Sequence, residues 1–191
     1  MNVPAVSPAR PVVFTGSVSV LQTAMAWVKS EYAGELAVLS TWLVGVAPWA
    51  VTVFGNGGLR VVVLRFLPFR FQFIFGVEFS NEVPFLPAWQ IAEFQQAPDL
   101  VLAGHLGFAA LLVFLVPFGL SLYYYVAEKQ LEARLPADPV RLFGGLLGLV
   151  GVLTTAASVL FVRSFPGTTV PLGAVVGLVL AYLLLTVDRT E

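Results

Sequence analysis

The chain has 191 residues, of which 58% are hydrophobic and only 11% are charged, with a mean hydropathy of +0.89 and a net charge of −1. Soluble domains carry about 25% charged residues, so this composition is typical of an integral membrane protein. The near-neutral charge excludes a basic nucleic-acid-binding surface, the absence of cysteine excludes disulfides and thiolate chemistry, and a single histidine excludes a multi-histidine metal site within one copy.

Residues 1–35 form the first segment, in which apolar side chains are broken by Pro, Ser, Thr and Gly. Arg10 is its one early positive charge, so the segment is a poor match to a signal peptide. We predict a tail that leads into a short interfacial helix with Trp27 at the membrane surface. A fifth membrane span here is the weaker alternative.

Four apolar runs follow, each long enough to cross the roughly 30 Å hydrocarbon layer as a helix. They are residues 36–54, 100–123, 142–162 and 170–187. Pro48 and Pro117 lie inside the first two runs and predict kinks rather than helix ends. We therefore expect an all-α integral membrane protein, a four-helix transmembrane bundle formed by residues 36–187.

The orientation of this bundle follows from its even number of spans, which puts both termini on one side. Six lysines and arginines lie on the terminal side and four on the other. The positive-inside tendency then predicts a multi-pass protein of the cell membrane with both termini in the cytoplasm.

Residues 55–97, between the first and second runs, hold eight of the sixteen phenylalanines. The segment "FRFQFIF" alternates strictly, with Phe69, Phe71, Phe73 and Phe75 on one face and Arg70 and Gln72 on the other. We predict an extramembrane cap, containing at most a short β-hairpin, whose rings pack inward on the helix ends while the polar side chains face headgroups and water. A binding surface for a partner or for lipid is the alternative.

His105 lies one to two turns inside the second run. Ionisable groups within a membrane are costly and often functional, but a neutral imidazole near a helix end can also hydrogen-bond a neighbouring helix. We favour the packing role over a proton, quinone or haem role. No carboxylate lies within the four runs, which argues against a proton-coupled exporter.

Small residues form stripes on the third and fourth runs. The first stripe comprises Gly144, Gly148 and Gly151, and the second comprises Gly173, Gly177 and Ala181. Such stripes allow close contact between helix backbones, and the short connection "RSFPGTT" makes the two runs antiparallel neighbours. We expect the stripes to face each other.

Arg163 ends the third run on the side that this topology assigns to the cap. Its charge requires either a headgroup phosphate or a protein acid. The sharper hypothesis is a bidentate pair with Glu78 or Glu82 that pins the cap over the bundle.

A resemblance to a known family rests on several short motifs. These are the Pro48-Trp49 pair, the Gly57-Gly58 turn, and the connection containing Pro166, Gly167, Pro171 and Gly173. In these motifs residues 36–187 resemble a family of small, uncharacterised membrane proteins from halophilic archaea. The resemblance implies no assigned activity and no catalytic residue.

The functional expectation is a non-enzymatic integral membrane protein without a cofactor, serving as a structural or accessory subunit of a membrane assembly. Its partners would be the lipid bilayer and other membrane subunits, or further copies of itself, and not nucleic acid. An oligomeric transporter or channel subunit is the first alternative. A membrane redox or haem subunit that uses His105 is the second.

Overall fold

The computed structural model describes residues 33–76, 85–134 and 138–186, in which the chain forms α-helices and one antiparallel sheet. The elements in chain order are α1 (Ala33–Val46), β1 (Ala50–Asn56), β2 (Leu59–Arg65), β3 (Phe69–Phe75), β4 (Phe85–Pro87), a 3₁₀ turn (Ala88–Gln90), α2 (Pro98–Arg134), α3 (Pro139–Ser164), β5 (Thr168–Val170) and α4 (Leu172–Thr186). The expected all-α four-helix bundle is therefore wrong, because four helices are joined by a five-stranded sheet.

The first predicted span, residues 36–54, is half helix and half strand. Helix α1 ends at Val46, just before Pro48, because proline has no N–H to continue the helical ladder. The following "AVTVFGN" is rich in β-branched residues and pairs with β2 across a turn in which Gly57 and Gly58 take φ of 60° and 92°. The β-hairpin thus begins inside the predicted span.

The fourth predicted span, residues 170–187, is shortened in the same way. Residues before Pro171 form β5, and α4 has only 15 residues, roughly 22 Å of helix. By length and composition, Pro98–Tyr124 of α2 and all of α3 are the two segments in the described ranges that are able to cross a membrane. Over the described residues, α1 and α4 have 14 and 15 residues, fewer than the roughly 20 that a membrane-crossing helix needs.

The sheet has the strand order β4-β3-β2-β1-β5, with each neighbouring pair antiparallel. Strand β5 comes from the far end of the chain and aligns Thr169 with Thr52 of β1. The backbone N–H of Gly173 also donates to the Pro48 carbonyl, at 3.1 Å. The start of α4 is therefore fixed to the end of α1.

The core lies between α2 and α3, with α1 and α4 packed on that pair. The sheet covers the end of the pair where Ser164 donates to the Asp99 carboxylate at 2.8 Å, which we call the sheet end. Leu86, Ala88 and Ile91 pack against Phe108 and Leu111 of α2. Since these two residues lie three to four turns inside α2, part of the sheet region lies beside the helices rather than beyond them.

Candidate interaction surface

The two faces of the sheet follow from its register, because directly paired residues of an antiparallel sheet point to the same side. Arg65 pairs with Arg70, and Val63 pairs with Gln72, so these four side chains share one face. Leu64 pairs with Phe71, and Val62 with Phe73, so these share the other. The register therefore separates the polar and aromatic residues of β3.

The face with Arg65 is the inner one. Arg65 and Val63 are 1% and 2% exposed, and the Arg65 guanidinium lies over the ring of Phe161 in α3. The four rings of β3 consequently face away from the helices, and Phe73 and Phe75 are 43% and 56% exposed. The prediction that these rings pack inward is wrong. Alternation in β3 separated its two faces correctly, but the burial of β2 decides which face points inward.

The rings on the outer face contact one another. Phe69 lies 5.1 Å from Phe71 and 5.4 Å from Phe85 between ring centroids, and Phe71 lies 5.6 Å from Phe85. These separations are within the favoured range for aromatic pairs. We call this surface the outer aromatic face, and it comprises Val51, Val53, Val62, Leu64, Phe69, Phe71, Phe73, Phe75, Phe85 and Val170.

The residues that define the outer aromatic face are apolar, and each is half-buried or exposed. At the β5 edge, the register adds the exposed Thr168, which pairs with Val53, to the same side. Within the described strands, the register places one charged side chain on the same side of the sheet. It is Arg60, which pairs with Phe75 at the end of the hairpin. Contiguous exposed apolar patches of this kind mark contacts with proteins or membranes. The surface is therefore the candidate functional site.

Beneath it, Arg65 joins three strands to a helix. Its Nη1 donates to the Thr52 hydroxyl, which shares a 2.8 Å hydrogen bond with the Thr169 hydroxyl of β5. Its Nε has no hydrogen-bond partner. Burial, reinforced by the positive charge of Arg70, lowers the pKa of Arg65 to about 9. In the sequence, Arg65 is one of the four positive charges on the side opposite the termini, and the pattern of β2 alone does not predict its burial.

Family comparison places the chain among proteins of unknown activity. Residues 26–189 match the model of a family of unknown function, DUF7549. The chain belongs to this family. No curated protein matches the sequence.

The residues singled out in this DUF7549 chain do not converge on one site. His105 lies on the exposed side of α2, and Arg163 is exposed at the end of α3. Arg70 lies on the inner side of the sheet, while Glu78 and Glu82, the expected partners of Arg163, lie outside the described residues. Over the described ranges, no group of three or more His, Asp or Glu side chains is placed to hold a metal ion.

The glycine stripes lie at helix contacts. A Cβ at Gly148 would be 3.6 Å from the Ala181 Cβ, and one at Gly151 would be 2.8 Å from Leu178, so the α3 stripe faces α4. The α4 stripe divides between two neighbours. Ala181 faces α3, whereas Gly177 faces Val44 of α1 and Gly173 contacts the backbone of Pro48.

Proposed function

We propose that this chain is a non-enzymatic integral membrane protein, a structural subunit that associates with a second copy of itself through the outer aromatic face. Both termini lie in the cytoplasm in this proposal, and the sheet lies at the opposite membrane surface. The resemblance to small membrane proteins of halophilic archaea supports the same setting.

The membrane setting is supported by the outward surface of the helices. Large apolar side chains on this surface are about half exposed, including Leu102, Leu112, Leu115, Val116, Val152, Val159 and Leu183. In water such a surface would be an aggregation liability, whereas in lipid it is matched to its solvent. The 27 residues of Pro98–Tyr124 extend about 40 Å, enough to cross the hydrocarbon layer.

The outer aromatic face is the observation that carries self-association. Its three central strands have seven residues each, which gives a length of about 23 Å, and five strands are about 24 Å wide. Allowing for the short edge strands, the face covers about 500 Å² and two copies would bury about 1,000 Å², the lower limit for a specific interface. Two sheets packed face to face would interdigitate these rings and methyl groups across about 10 Å.

The uncharged character of the face favours a copy of itself over a charged partner. A two-fold axis through the centre of the face would bring the Leu64–Phe71 pair of one copy against the same pair of the other. No charge would be buried, because Arg60 lies at the hairpin end.

Energy transfer between donor-labelled and acceptor-labelled chains in liposomes tests this proposal. We expect transfer that saturates with protein density in wild type and is reduced severalfold in Phe71→Ser. Val152→Ser, which removes an exposed side chain from α3, is the matched control and should behave as wild type. Absence of specific energy transfer in wild type would mean that lipid, not a second copy, covers the face. An equal loss of energy transfer in both variants would contradict the proposed interface.

A further inference from the structure

A groove runs along the outside of α3, next to the start of α4. It has a volume of about 160 Å³ and is lined by Thr155, Ser158, Val159, Val162, Arg163 and Pro171. From Thr155 to Arg163 it follows about 12 Å of helix. The groove reaches the sheet end at Arg163 and Pro171.

Apart from Arg163, the polar side chains that line this groove are those of Thr155 and Ser158. The hydroxyls of Thr155 and Ser158 donate to carbonyls of their own helix, at 2.7 Å to Gly151 and 2.8 Å to Thr154. Their hydrogen-bonding capacity is thus partly used within α3, and the wall presents mainly methyl groups and methylenes. A cavity of about 150 Å³ accommodates a molecule of the size of benzene, so this groove has room for several methylenes of an acyl chain.

Arg163 supplies a positive charge where the groove reaches the sheet end. It is exposed, and the described ranges contain no ion pair to it. Asp99, a nearby acid at the sheet end, accepts a hydrogen bond from Ser164. A guanidinium group binds a phosphate through two parallel hydrogen bonds, which an ammonium group does not match.

We propose that this groove binds one membrane phospholipid, whose phosphate is held by Arg163 and whose first acyl methylenes lie against Val159, Val162 and Pro171. A headgroup phosphate and an acyl chain on the same molecule match the charged end and the apolar length of the groove. The inference rests on the membrane setting proposed above but not on self-association.

Native mass spectrometry of the full chain in detergent, titrated with phosphatidylglycerol, tests the site. We expect one tightly bound lipid in wild type and a roughly tenfold weaker affinity in Arg163→Gln, because one charge-assisted contact is lost. Val159→Trp, which fills the groove while keeping the charge, should weaken binding as well. Arg60→Gln removes an exposed cation elsewhere on the sheet and is the control that should bind as wild type.

Diacylglycerol, which has the acyl chains without the phosphate, should bind wild type and Arg163→Gln equally weakly. Equal phosphatidylglycerol affinity in wild type and Arg163→Gln would overturn the site, and so would an equal loss in Arg60→Gln. A chain that is stable in water without detergent would refute the membrane setting itself. A chain that needs detergent but binds lipid independently of Arg163 would refute only the groove.

Discussion

The guanidinium carbon of Arg65 lies 3.9 Å from the centre of the Phe161 ring, and both side chains are at most 1% exposed. A cation held over a ring face in a desolvated site is stabilised by about 2 kcal/mol or more. Because Arg65 belongs to β2 and Phe161 to α3, this contact joins the sheet to the helices. It lies on the inner face of the sheet, opposite the outer aromatic face.

The first prediction concerns this contact. Phe161→Leu should lower the free energy of unfolding by about 1–2 kcal/mol more than Phe143→Leu. Of these two rings, Phe161 is the one that lies under a cation. Phe143 is an equally buried ring of the same helix and serves as the control. Denaturant unfolding in micelles measures both. The excess loss should disappear in an Arg65→Met background, and equal losses in the two single variants would contradict the prediction.

The second prediction concerns pH. The pKa of Arg65 is lowered from its ordinary value to about 9 in the folded protein, so above pH 9 the unfolded state retains more of the proton. Stability from this group must then rise with pH, by up to about 1.4 kcal/mol per unit. Wild type should gain stability relative to Arg65→Met between pH 9 and 11. If the free energies of unfolding of the two proteins change equally with pH over that range, Arg65 keeps its proton and the prediction is wrong.

The third prediction separates the two faces of the sheet. Phe73→Ser should change the free energy of unfolding of the monomer by less than about 1 kcal/mol, because that ring is 43% exposed. Val63→Ser should cost about 2–3 kcal/mol, because it places a hydroxyl in a position that is 2% exposed. Thermal unfolding in detergent measures both variants. A larger loss for Phe73→Ser would mean that the rings face inward.

The fourth prediction compares two glycines. A Cβ at Gly148 meets only Ala181, at 3.6 Å, so Gly148→Ala should preserve or raise stability by up to about 1 kcal/mol through helix propensity. A Cβ at Gly173 would lie 2.6 Å from the Pro48 carbonyl oxygen, so Gly173→Ala should cost about 2 kcal/mol or more. The midpoint of thermal unfolding should fall in Gly173→Ala and stay unchanged or rise in Gly148→Ala. Equal shifts would contradict the close contact between α4 and the α1–β1 connection.

The fifth prediction concerns orientation. Asn56→Cys, at the exposed hairpin end, should react with an impermeant thiol reagent added to intact cells. Asp138→Cys, at the opposite end of the helix pair, should react only after the membrane is opened. The native chain has no cysteine, so each variant reports a single site. The reverse labelling pattern would place the termini outside.

The sequence predicts helices over 100–123 and 142–162, and the structure has helices there, because apolar runs of more than 20 residues have few alternatives to a helix. Helix α2 nevertheless continues to Arg134, into the segment predicted as a loop. The sequence did not predict that the first and fourth runs contain strands. "AVTVF" and "TTV" are apolar enough to pass as membrane helix, and their strand structure depends on pairing with each other and with β2. Such pairing across more than a hundred residues has no local signal.

The candidate site was predicted in part. The alternation of "FRFQFIF" correctly put the rings and the polar residues on opposite faces. The predicted direction of those faces is wrong, because the rings of β3 face outward while Arg65 of the neighbouring strand is buried on the inner face. An aromatic face directed outward and an arginine directed inward are expected where lipid or another apolar surface takes the place of water.

A second copy of the chain covers the outer aromatic face in this account, and thiol cross-linking with a bismaleimide whose spacer spans the roughly 10 Å between packed sheets measures this most directly. Single-cysteine variants Leu64→Cys and Phe71→Cys, at the centre of the face, are treated with the cross-linker in native membranes alongside Val152→Cys on the outside of α3. We predict a covalent dimer at the two positions on the face and none at Val152. Monomers at Leu64 and Phe71, or dimers formed equally at all three positions, would contradict the claim.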